Sequence, residues 1–165
     1  PDIMTLAKAL TNGSVPMGAV AARNEIYQTI TSAAADGAIE FFHGYTYSAH
    51  PLACAAGLAT QRIYREEGIF DRAAQLAPYF QEQIFALQDL AVIKDIRGYG
   101  LLAGIDLEPT AQAGERGTQV LQRLFASGLV VRVTNDTVIL APALVAERQQ
   151  IDQICSLLRT TFTKL

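Results

Sequence analysis

Lys8 is the residue of this chain best placed for covalent chemistry. It follows the run Asp2-Ile3-Met4-Thr5-Leu6-Ala7 and precedes the turn-like Thr11-Asn12-Gly13. Ile3 to Ala7 read as a short buried strand, and open α/β sheets bind ligands beyond the carboxyl ends of their strands. A lysine amine in that position can be desolvated and become a nucleophile. Only the neutral amine attacks a carbonyl, and an unperturbed lysine of pKa about 10.4 is neutral in roughly one molecule per few thousand at pH 7. Burial at a strand end would raise that fraction. The bland alternative is a surface lysine on a frayed helix, the commoner fate of a lone lysine. Lys94 beside Asp95, and Lys164 in the terminal tail, lack this setting.

Two further places carry candidate chemistry. Arg132 interrupts the apolar run Leu129-Val130-Val131-Arg132-Val133. A guanidinium there must reach water or an anion, because burying it unpaired is very costly. The wet side of a hairpin and an anion site are both open on pattern alone. The segment Phe41 to His50 mixes aromatics, histidines and hydroxyls with no period of a strand or helix, and irregular loops of that kind often build sites. Its Thr46 could equally satisfy local backbone. His43, His50 and Arg97 are assigned no chemistry: His50 before Pro51 reads as a helix entry, and Arg97-Gly98-Tyr99-Gly100 as a tight turn. Cys54 and Cys155 lie in apolar helical settings, as buried reduced thiols do. With two histidines far apart in sequence, no metal constellation is predicted.

The elements that must position these groups divide into two parts. Pro16 to Ala22 reads as a second buried strand, and Ser32 to Gly37 as a loop. A helix from Leu52 to about Glu67 follows, with Pro51 near its first turn and Gly68 as its stop. A second helix spans roughly Asp71 to Leu87 on the stripe Ala73, Leu76, Ala77, Phe80, Ile84 and Leu87, and Pro78 should bend or break it. Strands are expected at Val92-Ile93, Ile96 and Leu101 to Leu107. Thr118 to Ala126 reads as an amphipathic helix. Leu129 to Val133 and Thr137 to Leu140 read as a hairpin around Asn135-Asp136. A last helix runs from Glu147 to about Phe162. Residues 1–71 are thus expected to end an α/β domain, and 72–165 to form a small α+β domain. Two strands make no stable open sheet alone, so the remainder of that sheet is expected elsewhere. Pro1 in place of an initiator Met fits a chain cut from something longer.

Composition narrows the functions. The 165 residues are 50% apolar and 18% charged, with a net charge of −3, as in globular chains. No Lys/Arg cluster offers a nucleic-acid footprint. No apolar run approaches the roughly 20 residues that span a bilayer, and no secretory signal is present. These features predict a cytoplasmic protein with neither nucleic-acid nor membrane partners.

Asp2 to Gly13 resembles the cofactor-lysine signature of class III aminotransferases, pyridoxal-phosphate enzymes of fold type I. Pro16-Met17-Gly18-Ala19-Val20 continues that pattern. Phe41 to Gly57, with Tyr45-Thr46-Tyr47-Ser48-Ala49-His50-Pro51 at its centre, resembles the matching loop and helix of the omega-amino acid:pyruvate branch (beta-alanine and taurine donors). The resemblance continues through the second part, yet the chain covers less than half of a full family member. It implies an α/β fold: the end of a large-domain sheet plus the α+β small domain, the C-terminal part of a fold-type-I transferase. It implies that Lys8 is catalytic and binds pyridoxal 5′-phosphate through the cofactor's aldehyde carbon. Thr46 would hydrogen-bond the cofactor phosphate of the neighbouring subunit, and Tyr45 would line that subunit's substrate pocket. Arg132 would clamp the substrate carboxylate. Activity would then require a homodimer, with pairing into tetramers left open. The reaction would pass an amino group from an omega-amino acid or amine to pyruvate.

The resemblance also implies absences. The family's pyridine-nitrogen aspartate, main phosphate loop and ring-stacking aromatic all precede the lysine and are not in this sequence. The polypeptide alone is therefore expected to bind cofactor poorly and turn over slowly or not at all. Two rivals share the sequence features: an aminomutase, racemase or decarboxylase-like relative using the same Lys8, and a noncatalytic dimerising fragment.

Overall fold

A computed structural model describes residues 1–38 and 44–165, in two units, Pro1–Glu67 and Gly68–Leu165. In the first unit, strands β1 (Ile3–Ala7) and β2 (Gly18–Ala22) pair antiparallel, with Ile3 opposite Ala22 and Ala7 opposite Gly18. Both strands are exposed along their whole length, Ile3, Met4, Leu6 and Val20 included. This corrects the expectation of two buried strands. Among the described residues β1 and β2 pair only with each other, and a lone hairpin leaves its apolar side chains uncovered.

Helix α1 (Asn24–Ser32) was not expected. Its sequence signals are weak: the residue before it provides no side-chain cap. The Thr29 and Ser32 hydroxyls donate back to the Glu25 and Gln28 carbonyls at 2.7 and 2.6 Å, the competing bonding that lowers helix propensity. Of the aromatic segment, Phe41, Phe42 and His43 lie outside the described residues. Its remainder is irregular chain, with the Ser48 N–H donating to the Tyr45 carbonyl at 3.0 Å. Helix α2 (Pro51–Glu66) begins after His50 with Pro51 in its first turn, where a missing N–H costs nothing.

In the second unit, α3 (Ile69–Phe85) runs on into a 3₁₀ turn at Ala86–Asp89. Of the bend or break expected at Pro78, the break does not occur: α3 runs through it without interruption. Pro78 faces solvent while Ala73, Leu76, Phe80 and Ile84 are buried. Burial on that face offsets the cost of an interior proline, about 3 kcal/mol. Four antiparallel strands follow: β3 (Ile93–Tyr99), β4 (Leu102–Leu107), β5 (Arg132–Thr134) and β6 (Thr137–Leu140), in the order β3-β4-β6-β5. Arg97, Gly98 and Tyr99 belong to β3, so the tight turn falls later, at Gly100-Leu101, where Gly100 has φ +60°. β5 starts at Arg132 rather than Leu129. Helix α4 (Glu115–Ala126) begins before Thr118.

Helix α5 (Arg148–Phe162) carries a capping box in which the Glu147 N–H donates to Gln150 Oε1 at 2.8 Å. One sheet face (Ile93, Ile96, Ala103, Ile105, Leu107, Val138, Leu140) joins Phe80, Ile84, Val120, Leu124, Ile151, Leu158 and Phe162 in a single core. Cys155 is buried there, and burial pushes its thiol up to about 11. Cys54, by contrast, is only half-buried. On the opposite face Arg97, Gly104, Ile139 and Arg132 form one cross-strand row.

Candidate active site

Lys8 is the first residue after β1, where the chain turns into a short 3₁₀ helix, Lys8–Leu10. Its φ is +53°, a left-handed conformation that costs a residue with a Cβ about 1–2 kcal/mol. The surrounding turn holds it there. The Lys8 carbonyl accepts the N–H groups of Thr11 and Gly13 at 3.3 and 3.1 Å. Thr11 is buried, donates through Oγ1 to the Val15 carbonyl at 2.6 Å, and accepts Ser14 Oγ at 2.6 Å. Helix α2 joins in: the Tyr64 hydroxyl donates to the Ala9 carbonyl at 3.0 Å.

The Lys8 side chain is exposed, not buried as expected, because the hairpin that carries it is bare. Its amine makes no hydrogen bond or ion pair among the described residues. An unpaired amine lifted off a strand end by a fixed left-handed turn fits a group that bonds through an aldehyde carbon.

Thr46 is exposed in the loop before α2, and its hydroxyl makes no hydrogen bond among the described residues. Tyr45 lines a cleft of about 770 Å³ with Met17, Gly18, His50, Ala53 and Cys54. Among the described residues the lining of that cleft includes neither Lys8 nor Thr46.

Arg132 belongs to the other unit. It is exposed at the head of the edge strand β5, opposite Ile139, and its guanidinium has no partner among the described residues. Three intervals along the same row stands an arginine with partners. Arg97 reaches across Gly104 to bind Asp106 in a fork, Nη1 to Oδ2 at 2.6 Å and Nη2 to Oδ1 at 3.0 Å. Thr137 Oγ1 donates to the same carboxylate at 2.6 Å. Arg97 and then Thr137 hold the Asp106 carboxyl below its ordinary range. On the core side, both oxygens of Asp136 accept backbone N–H groups at the start of α4: that of Gly114, the residue before the helix, to Oδ2 and that of Gly117 to Oδ1, each at 2.9 Å. These two bonds lower the Asp136 pKa, that of Gly114 first.

The sequence reading missed Thr11, Tyr64, Asp106 and Asp136 as supports. Thr11 and Asp136 were legible only as turn residues, and Tyr64 and Asp106 gave no local signal because Ala9, Arg97 and Thr137 lie well away from them in sequence.

The Aminotransferase class-III family model matches residues 1–162. The chain therefore belongs to the class III aminotransferases. It is 49% identical over 160 residues to an omega-aminotransferase of Caulobacter vibrioides, covering 96% of this chain and 36% of that protein. It is 41% identical over 160 residues to the beta-alanine–pyruvate aminotransferase of Pseudomonas aeruginosa, covering 93% of this chain and 35% of that one. A crystal structure of an amine transaminase from an uncultivated Pseudomonas species, in the PLP-bound form, superposes with a TM-score of 0.88 at 31% identity. That match covers 99% of this chain and 38% of the other. The chain thus spans little more than a third of the length of these relatives, and its fold is a fragment of the aminotransferase fold.

Proposed function

We propose that this chain carries the cofactor lysine and the small domain of a pyridoxal-phosphate-dependent transaminase. The whole enzyme moves an amino group from an omega-amino acid or related amine to pyruvate, giving alanine. The relatives named for omega-amino acid and beta-alanine transfer support this reading. The observation that carries it is the left-handed Lys8 turn, which presents an unpaired amine at a strand end within the family match.

Bound pyridoxal phosphate supplies an aldehyde for that amine and a ring that takes up the electron pair left when a proton departs. Lys8 would hold the cofactor's aldehyde carbon, and once the substrate's amine takes that place the freed Lys8 amine would accept a proton from the substrate's amine-bearing carbon. The Thr46 hydroxyl donates to the phosphate held by a neighbouring subunit, and Tyr45 lines that subunit's substrate pocket, so a homodimer is the working unit. Arg132 holds the keto-acid carboxylate; a guanidinium fork matches both its oxygens.

The test is hydride reduction of the full-length holoenzyme followed by peptide mass mapping. The cofactor's mass is expected on the peptide containing Lys8, and Lys8→Ala should abolish both the adduct and alanine formation from pyruvate. An adduct on a different lysine, or alanine formation surviving in Lys8→Ala, removes the assignment.

A further inference from the structure

Arg132 sits on a strand of three residues, too short to fix its own place at a sheet edge. Its register comes from the hairpin with β6, closed by Thr134 opposite Thr137. The tip of that hairpin is tethered on both sides. On the core side, Asp136 bonds the Gly114 and Gly117 N–H groups at the start of α4, and the Leu107 N–H donates to the Asp136 carbonyl at 3.0 Å. The approach is so close that a Cβ on Gly117 would lie 1.9 Å from the Asn135 carbonyl oxygen and 2.7 Å from Val133 Cγ1. On the outer side, Thr137 is tied to Asp106, which Arg97 holds in its fork. Consecutive residues therefore anchor the tip to opposite faces of the sheet, and Arg132 stands at the other end of the same short strand.

We infer that Asp136 and Thr137 are positioning residues for Arg132: their two tethers set where its guanidinium stands and so tune recognition of the acceptor's carboxylate. This rests on the reading of Arg132 as the carboxylate clamp. Neither residue touches substrate; each acts through the hairpin tip. Asp136→Asn keeps the shape but turns one acceptor into a donor facing an N–H, which loosens the core-side tether.

In the full-length holoenzyme, Asp136→Asn should raise the pyruvate KM about tenfold, the penalty of a modest misplacement. Turnover with a simple aliphatic aldehyde as acceptor, which has no carboxylate, should stay at the wild-type value. Equal losses with both acceptors would show a merely structural role and overturn the inference, as would an unchanged pyruvate KM. Should Asp136→Asn fail to fold, Thr137→Val cuts only the outer tether and must shift the pyruvate-to-aldehyde ratio the same way; an unshifted ratio is again fatal. Arg132→Lys is the control. If it leaves the ratio unchanged, the clamp reading falls and takes this inference with it. If Arg132→Lys shifts the ratio and the tether variants do not, only the positioning claim fails.

Discussion

Residues with a Cβ and a positive φ are uncommon, and asparagine tolerates the conformation best. Among the described residues Lys8, Asn12, Ala49 and Asn135 adopt it; two of them are asparagines, which leaves Lys8 and Ala49 as the strained ones. Strain of this kind gathers where a particular side-chain direction is needed. The turn around Thr11 holds Lys8 through its backbone, by bonds that do not involve its amine. The second residue-scale device is the Asp106 carboxylate, shared by Arg97 and Thr137. Because these partners lower its folded pKa, its stabilisation is complete above the ordinary aspartate range, about pH 4, and is lost as pH falls through the lower folded value. Asp106→Asn should therefore lower the urea midpoint at pH 7 relative to wild type, with the gap narrowing as pH drops below about 4. A gap that stays constant over that range would assign the loss to something other than the ionised carboxylate.

At the scale of elements, two glycines permit close packing for different reasons. A Cβ on Gly117 would collide with the Asn135 backbone, on the turn that α4 clasps. A Cβ on Gly98 would meet Gln81 Oε1 at 2.2 Å, at the end of a flexible side chain. Gln81 Nε2 donates to the Gly100 and Leu102 carbonyls at 2.8 and 3.2 Å, so its displacement loosens the β3–β4 turn and little else. Gly117→Ala is expected to destabilise by about 1–3 kcal/mol, the usual range for overpacking against atoms that cannot yield. Gly98→Ala should cost less, about the 0.5–1.5 kcal/mol of a displaced side-chain hydrogen bond. Chemical denaturation of both variants checks the order. A Gly98→Ala loss equal to or above that of Gly117→Ala would mean that Gln81 is held more rigidly than the hairpin tip.

At the scale of the whole molecule, apolar burial is unevenly shared. The second unit packs three helices on one sheet face, with Phe80, Ile84, Ile105, Val138, Ile151 and Leu158 wholly buried. The first unit holds Lys8 on a hairpin with no covered face. Amide exchange in a polypeptide of these 165 residues should accordingly be slow in β4 and α5 and fast in β1 and β2. Added pyridoxal phosphate should give no alanine formation from pyruvate, because a lysine on an uncovered hairpin leaves a cofactor bonded to it open to water. Turnover by this polypeptide, or equal protection of β1 and β4, would show that the hairpin is covered in solution.

The sequence by itself determined what depends on neighbours along the chain. Helix α2, the buried stripe of α3, the β5–β6 hairpin and α5 follow from periodicity, caps and turn residues that lie within a few positions of one another. The family is likewise written in contiguous runs around Lys8 and Thr46. Tertiary structure decided the rest. It set the exposure of β1 and β2, the survival of α3 through Pro78 and the place of the β3–β4 turn. It also joined Arg97, Asp106 and Thr137 on one face, and seated Asp136 on α4. Each of these turns on a contact between residues far apart in sequence, or on the lack of one. The energy of a strand face, a proline or a carboxylate is set by what covers or bonds it in space, which local pattern does not encode.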